Sequence, residues 1–125
     1  MERRNTIQRS LVAAAVQKLD HPDAEQVYAE VVREHPHISK ATVYRNLNLL
    51  AEEGAIGKVH LSEGADRFDC RTGKHYHMRC RVCGRLFDAK MPPLDAPERL
   101  LGGTDGFSVE DHTLEFIGVC ADCQK

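Results

Sequence analysis

Four of the five cysteines in this chain stand in two Cys-x-x-Cys pairs, Cys80/Cys83 and Cys120/Cys123, with thirty-six residues between them. Each pair bends into a tight knuckle that aims both sulfurs at one centre, and Gly84 suits the turn after the first pair. If both knuckles serve a single centre, the intervening segment has to fold back on itself. Four thiolates meet the tetrahedral demand of a structural Zn(II), and coordination then replaces part of the core that a small subdomain lacks. A redox-active pair or buried free thiols would use the same residues. In a reducing compartment, however, two matched pairs point to metal rather than to disulfides. Cys70 stands alone.

The chain has 125 residues, 42% of them apolar and 29% charged. That suits one domain of ordinary size or two small ones sharing an interface. With 6% aromatics and no Trp, the core is aliphatic. No apolar run approaches the roughly 20 residues that span a bilayer. The basic start MERRNTIQRS leads into an amphipathic pattern rather than a signal peptide, so the expectation is a cytoplasmic protein with no membrane partner. Seventeen Lys and Arg face nineteen Asp and Glu, evenly spread over both halves. Nucleic-acid binders usually carry a basic surplus, so any claim of DNA binding has to rest on local pattern.

That pattern lies in the first half. Thr6 is expected to cap a helix with Leu11, Val12, Ala15, Val16 and Leu19 along one stripe. After His21-Pro22, Asp23 and Gln26 form a capping-box signature ahead of Val27, Val31 and Val32. Ser39 caps a third helix with Val43, Leu47 and Leu50 inward, and Gly54 ends it. Ala41, Tyr44, Arg45, Asn48 and Glu52 fall on the opposite face. The stretch IGKVHLSEGADRFDC then reads as a hairpin around Ser-Glu-Gly-Ala-Asp. Three helices and a hairpin make a winged helix-turn-helix whose last helix enters the major groove. On this reading the DNA-facing candidates are Ser39, Ala41, Thr42, Tyr44, Arg45 and Asn48, with Arg3 and Arg4 reaching phosphates. A solvated polar helix face would show the same pattern.

The second half changes character. HYHMRC and GRLFDAK read as strands flanking the first knuckle, and MPPLDAPERLLGG as a short helix. DHTLEFIGVC reads as a strand alternating His112, Leu114 and Phe116 ahead of the second knuckle. The fold class is therefore α+β: a winged-helix region over residues 1–69 and a small zinc-containing α+β region over 70–125. In a strand, His75 and His77 project from the same face and reach one ion together. Asp69 lies six residues before His75 and Asp88 eleven after His77. Such N/O ligands suit Fe(II), Mn(II) or Zn(II), although a surface accident also produces His-x-His.

In order and spacing, SKATVYRNLNLLAEEGAI, RFDC, HYHMRCRVCG and DHTLEFIGVCADC resemble the ferric uptake regulator family of metal-dependent repressors, along nearly the whole chain. The resemblance implies a winged-helix DNA-binding domain over 1–69 joined to an α/β dimerisation domain over 70–125, a homodimer on palindromic double-stranded operator DNA, and structural Zn(II) on Cys80, Cys83, Cys120 and Cys123. It also implies a regulatory metal, Fe(II) or Mn(II), on His21, Asp69, His75, His77 and Asp88. Asp at both carboxylate positions resembles the peroxide-sensing branch. In that branch, oxidation of an imidazole matching His21 or His75 releases the metal and then the DNA. Metal ions and peroxide are the only small molecules this implies. The alternative within the family is an iron- or zinc-uptake regulator. For the zinc case Cys70, five residues before His75, would be a ligand; a buried, inert Cys70 is the other reading. The family's usual helix before RNTIQRSLVAAAV has no counterpart here, so fewer phosphate contacts are expected. Lys74 and Tyr76 stand where some members place ligands beside Asp95 and His112, so no third metal is expected. An enzyme would need an acid or base beyond these ligands, and the sequence offers none.

Overall fold

The computed structural model describes residues 2–125, with side chains from Ile7 onward. Arg3 and Arg4 lie outside the described side chains. Contacts divide the chain into two compact units, one ending at Gly73 and the other beginning at Lys74.

The first unit holds helices α1 (Glu2–Lys18), α2 (Ala24–Glu34) and α3 (Lys40–Glu52), followed by strands β1 (Gly57–Val59) and β2 (Arg67–Asp69). Helix α1 already runs from Glu2, so Thr6 lies inside it and not at its start; the Glu-Arg-Arg stretch before it has good helix propensity. At α2 the capping box is complete. The Asp23 carboxylate accepts from the Gln26 amide at 2.8 Å, and the Gln26 side chain accepts from the Asp23 amide at 2.9 Å. Ser39 Oγ accepts from the Thr42 amide at 3.1 Å and so caps α3. The end of α3 is a Schellman turn. The Ala55 amide donates to the Leu50 carbonyl, the Gly54 amide donates to the Ala51 carbonyl, and Gly54 takes φ +77°, which favours glycine.

These ends fix the helices so that Val12 and Val16, Val27 and Val31, and Val43, Leu47 and Leu50 meet in one core, closed by Ile56 and Phe68. Leu11 and Leu19 are only partly buried, at the margin of the expected stripe. β1 and β2 pair antiparallel, Lys58 opposite Phe68, around a connection over 60–66. Three helices and this hairpin form the winged helix-turn-helix arrangement.

In the second unit β3 (His77–Cys80) pairs antiparallel with β4 (Leu86–Asp88) and parallel with β5 (Glu115–Gly118), giving the order β4-β3-β5. The helix expected over 91–103 is reduced to a 3-10 turn at Pro97–Leu100. Pro92, Pro93 and Pro97 push each preceding residue out of the helical region. The strand expected from Asp111 starts only at Glu115, and His75 lies ahead of β3 rather than within it. The fold class is α+β. Among the described residues no helix is long and apolar enough to cross a membrane.

Candidate metal centres and nucleic-acid interface

Parallel pairing places Cys80 opposite Gly118, so the chain leaving β5 delivers Cys120 and Cys123 beside the first knuckle. The two knuckles are built locally. The Gly84 amide closes on the Cys80 carbonyl at 2.9 Å with Gly84 at φ +78°, and the Cys123 amide closes on the Cys120 carbonyl at 3.1 Å. The four sulfurs lie within 4.8 Å of one another, Cys83 Sγ and Cys120 Sγ 3.8 Å apart. Sulfurs around tetrahedral Zn(II) at ~2.3 Å stand roughly 3.8 Å apart, so the donor set fits that ion. The amides of Cys83 and Cys120 both point at Cys80 Sγ, at 3.5 and 3.4 Å, and pull its thiol down to about 5. Cys123 is pushed up to about 12, chiefly by its hydrogen bond with Cys120. The crowded thiols thus resist full ionisation until a cation neutralises them.

The His/Asp residues are placed by each unit in turn. In the first unit the turn Asp20-His21-Pro22-Asp23 is stitched to β2. The Phe68 amide donates to the Pro22 carbonyl at 2.8 Å, and the Arg67 guanidinium donates to the His21 carbonyl at 3.0 Å. His21 adopts φ +45°, an unusual conformation for a side-chain-bearing residue and a common one at functional sites. Its Nδ1 is held by Asp20 Oδ1 at 2.7 Å, which turns Nε2 toward Asp69 Oδ2 at 3.5 Å. The other Asp69 oxygen, Oδ1, accepts from the Arg71 amide at 3.0 Å. A carboxylate behind the far nitrogen of an imidazole is the usual way a metal-ligating histidine is oriented. Asp20 escaped the sequence reading; its signal was adjacency to His21.

In the second unit Asp88 Oδ1 lies 3.4 Å from both His75 Nε2 and His77 Nε2, and the two rings are 4.5 Å apart. Register explains part of this, because His77 pairs with Asp88 across β3 and β4. Ligand atoms about one ion at ~2.1 Å stand roughly 3–3.4 Å apart, so each imidazole already lies at such a distance from Asp88 Oδ1. Cys70 is exposed, not buried. Lys74 pairs with Asp111, and the Tyr76 hydroxyl bridges His112 Nε2 at 2.6 Å and the Leu94 amide at 2.8 Å. An ammonium and a phenol thus engage the Asp111–His112 segment.

On α3, Ala41, Arg45 and Asn48 are exposed, and Asn48 Oδ1 accepts from Lys58 of β1 at 3.3 Å. Tyr44 is half-buried, with its hydroxyl donating to Glu25 at 2.7 Å. The Ser39 hydroxyl serves the cap and donates to Thr42 Oγ1 at 2.8 Å.

Comparison with known proteins extends these observations. The sequence model of the ferric uptake regulator family matches residues 1–117. The peroxide operon regulator of Bacillus subtilis is 38% identical over 110 residues, covering 88% of this chain and 76% of that protein. The peroxide-responsive repressor PerR of Staphylococcus aureus is 36% identical over 104 residues, 83% of this chain and 70% of that one. Among solved structures, the Campylobacter jejuni peroxide stress regulator matches with a TM-score of 0.72 at 28% identity, covering 98% of this chain and 93% of that chain. The Helicobacter pylori ferric uptake regulator shares the fold, with a TM-score of 0.74 at 22% identity over 94% of this chain and 80% of that one.

Proposed function

Because the chain belongs to the ferric uptake regulator family, we propose that it is a metal-dependent transcriptional repressor that releases its operator on exposure to peroxide. The observation that carries this reading is the matched pair of half-sets. His21 and Asp69 converge in one unit, and His75, His77 and Asp88 converge in the other, all with Asp as the carboxylate. Identity to named peroxide regulators supports the choice of signal.

In this mechanism His21, Asp69, His75, His77 and Asp88 would hold one ion, three through nitrogen and two through oxygen. Asp20 keeps the His21 ring aimed, and Arg67 and the Phe68 amide keep the His21 turn on β2. Fe(II), if held there, would supply the redox chemistry by which peroxide gives one oxygen to a ligand imidazole and loses the other as water, chemistry that Mn(II) would supply poorly. The imidazoles of His21 and His75 are the side chains that take up oxygen. An oxidised imidazole no longer offers the same lone pair, so the two half-sets part. The helices α3 of two copies then lose the single orientation that suits both half-sites of a palindrome.

Dimer formation is supported by the apolar surface around β5, where Met78, Phe116 and Ile117 are 42, 46 and 54% exposed beside Phe87 and Val119. A face of this kind on a sheet edge suits a symmetric contact with a second copy.

The test loads the protein with Fe(II) or Mn(II) and selects a duplex from random sequences by binding. Stoichiometric peroxide is then added, and DNA binding is followed together with peptide masses. Loss of binding with one added oxygen on the His21 or His75 peptide, in the Fe(II) form alone, is expected. Binding that depends on Zn(II), ignores peroxide and is abolished by Cys70→Ser would replace this reading with zinc sensing.

A further inference from the structure

The face of the first unit that presents Arg45 and Asn48 also presents a carboxylate. Glu25, in the first turn of α2, reaches across to α3, where its Oε1 accepts from the Tyr44 hydroxyl at 2.7 Å and pairs with the Lys40 ammonium. The ammonium lies 5.8 Å from the centre of the Tyr44 ring, so the three groups form one compact cluster. Glu25 and Lys40 are 62 and 50% exposed, open to anything that approaches α3. Their ionisation agrees with the geometry. Lys40 and then Tyr44 hold the Glu25 carboxyl below the usual range, and the bond to Glu25 raises both partners.

A carboxylate oxygen receiving an ammonium and a phenol hydroxyl stands in chemically for a DNA phosphate oxygen, which takes its contacts from the same side chains. Exposed ion pairs are weak, so a phosphate can displace Glu25, and each exchange leaves a carboxylate facing the DNA backbone. The position matters in a chain with 17 Lys and Arg against 19 Asp and Glu, where few cations are available for phosphates.

We infer that Glu25 is a specificity-determining residue, an internal phosphate mimic that occupies Lys40 and Tyr44 of the recognition helix and suppresses binding to arbitrary DNA. On non-operator duplex the exchange gains little, and Lys40 stays with Glu25. On the operator, base contacts from α3 outweigh the cost of the exchange, and Lys40 and Tyr44 pass from Glu25 to phosphate. The inference rests on the DNA-binding reading above.

The test compares wild type, Glu25→Gln, Lys40→Ala and the double variant as metal-loaded proteins, on the selected duplex and on a scrambled one, across 50 to 200 mM salt. One additional phosphate contact steepens the plot of log affinity against log salt by about 0.9. Glu25→Gln should therefore bind scrambled duplex more tightly, gaining about 3.5-fold more than wild type as salt falls fourfold. The ratio of selected to scrambled affinity should fall. Lys40→Ala should change scrambled binding little by itself and should cancel the gain in the double variant, a coupling that loss of structure does not mimic. A Glu25→Gln protein with wild-type thermal unfolding and an unchanged salt slope overturns the inference and leaves the repressor reading standing. Wild type that binds neither duplex removes both.

Discussion

In the N-terminal unit, Val12, Val16, Val27, Val43 and Leu47 are buried to within 1% of full enclosure, side-chain caps close the starts of α2 and α3, and a glycine turn closes the end of α3. In the C-terminal unit the core side chains are Tyr76, Cys80, Leu86 and Ala89, while Leu94, Leu100, Phe107, Phe116 and Ile117 lie exposed. One unit is held by packing in the ordinary way. The other buries too little apolar surface to stand on packing alone, and its strands are three or four residues long. What it has instead is four converging thiols and an apolar face that suits a second copy. Stability in the first unit is therefore spread over many side chains, and in the second it is concentrated at one point.

The sharpest way to break this contrast is to remove one sulfur. Cys123→Ser is expected to abolish zinc binding and to dissolve the β4-β3-β5 sheet and the dimer, while the helical signal of the first unit survives. Zinc content, far-ultraviolet circular dichroism and sedimentation read these three outcomes together. A zinc-free variant that keeps the sheet and the dimer would show that packing holds the C-terminal unit after all.

Next in size is Leu47→Ala, which empties a site 1% exposed at the centre of the helical core. A cavity of that origin costs about 2–5 kcal/mol. The denaturation midpoint of the helical unit should fall accordingly, with zinc content unchanged. A cost below about 1 kcal/mol would mean that the core collapses onto the space and is less closely packed than its burial implies.

The same contrast decides what could be read from sequence. Capping chemistry is local, so Asp23 with Gln26, Ser39 and Gly54 announced the ends of α2 and α3 directly. Thr6 misled because a capping residue also sits comfortably inside a helix when good helix formers precede it. The C-terminal unit depends on non-local pairing. Nothing near Glu115 states that it lies parallel to β3, and three prolines reduced an expected helix to one turn. The Cys pairs were legible because thiolate spacing is itself the signal. His75 and His77 were legible as a pair for a partly wrong reason, since only His77 belongs to the strand and register brings Asp88 to it. His21 came only with the family resemblance. Asp20 makes one contact across a turn and Glu25 two between helices, and neither leaves a periodic trace.

Acid gives the finest comparison, because it should separate the units without any substitution. Among the described residues, the buried cluster of the N-terminal core holds no acid or base that titrates between pH 8 and 5, whereas zinc must compete with protons for the four thiolates. The backbone amides of Cys83 and Cys120 lower the Cys80 thiol from the ordinary 9.0 to about 5, so its contribution has the sign of a depressed acid. It is present in full above the ordinary thiol range, declines as pH falls, and is gone once pH passes below about 5. Cys123, raised to about 12, works the other way: its neutral form is favoured, and zinc has to displace that proton at any pH near neutrality. Between pH 8 and pH 6, zinc should therefore weaken gradually but stay bound at micromolar protein, since Cys80 offers a thiolate throughout. Release should complete only as pH falls through about 5, with the sheet lost and the helices retained. A zinc-sensitive dye and circular dichroism, recorded on one acid titration, read both events. Complete zinc release by pH 6.5 would show that the amides around Cys80 do not hold its thiolate, and that the first knuckle is not the anchor of the C-terminal unit.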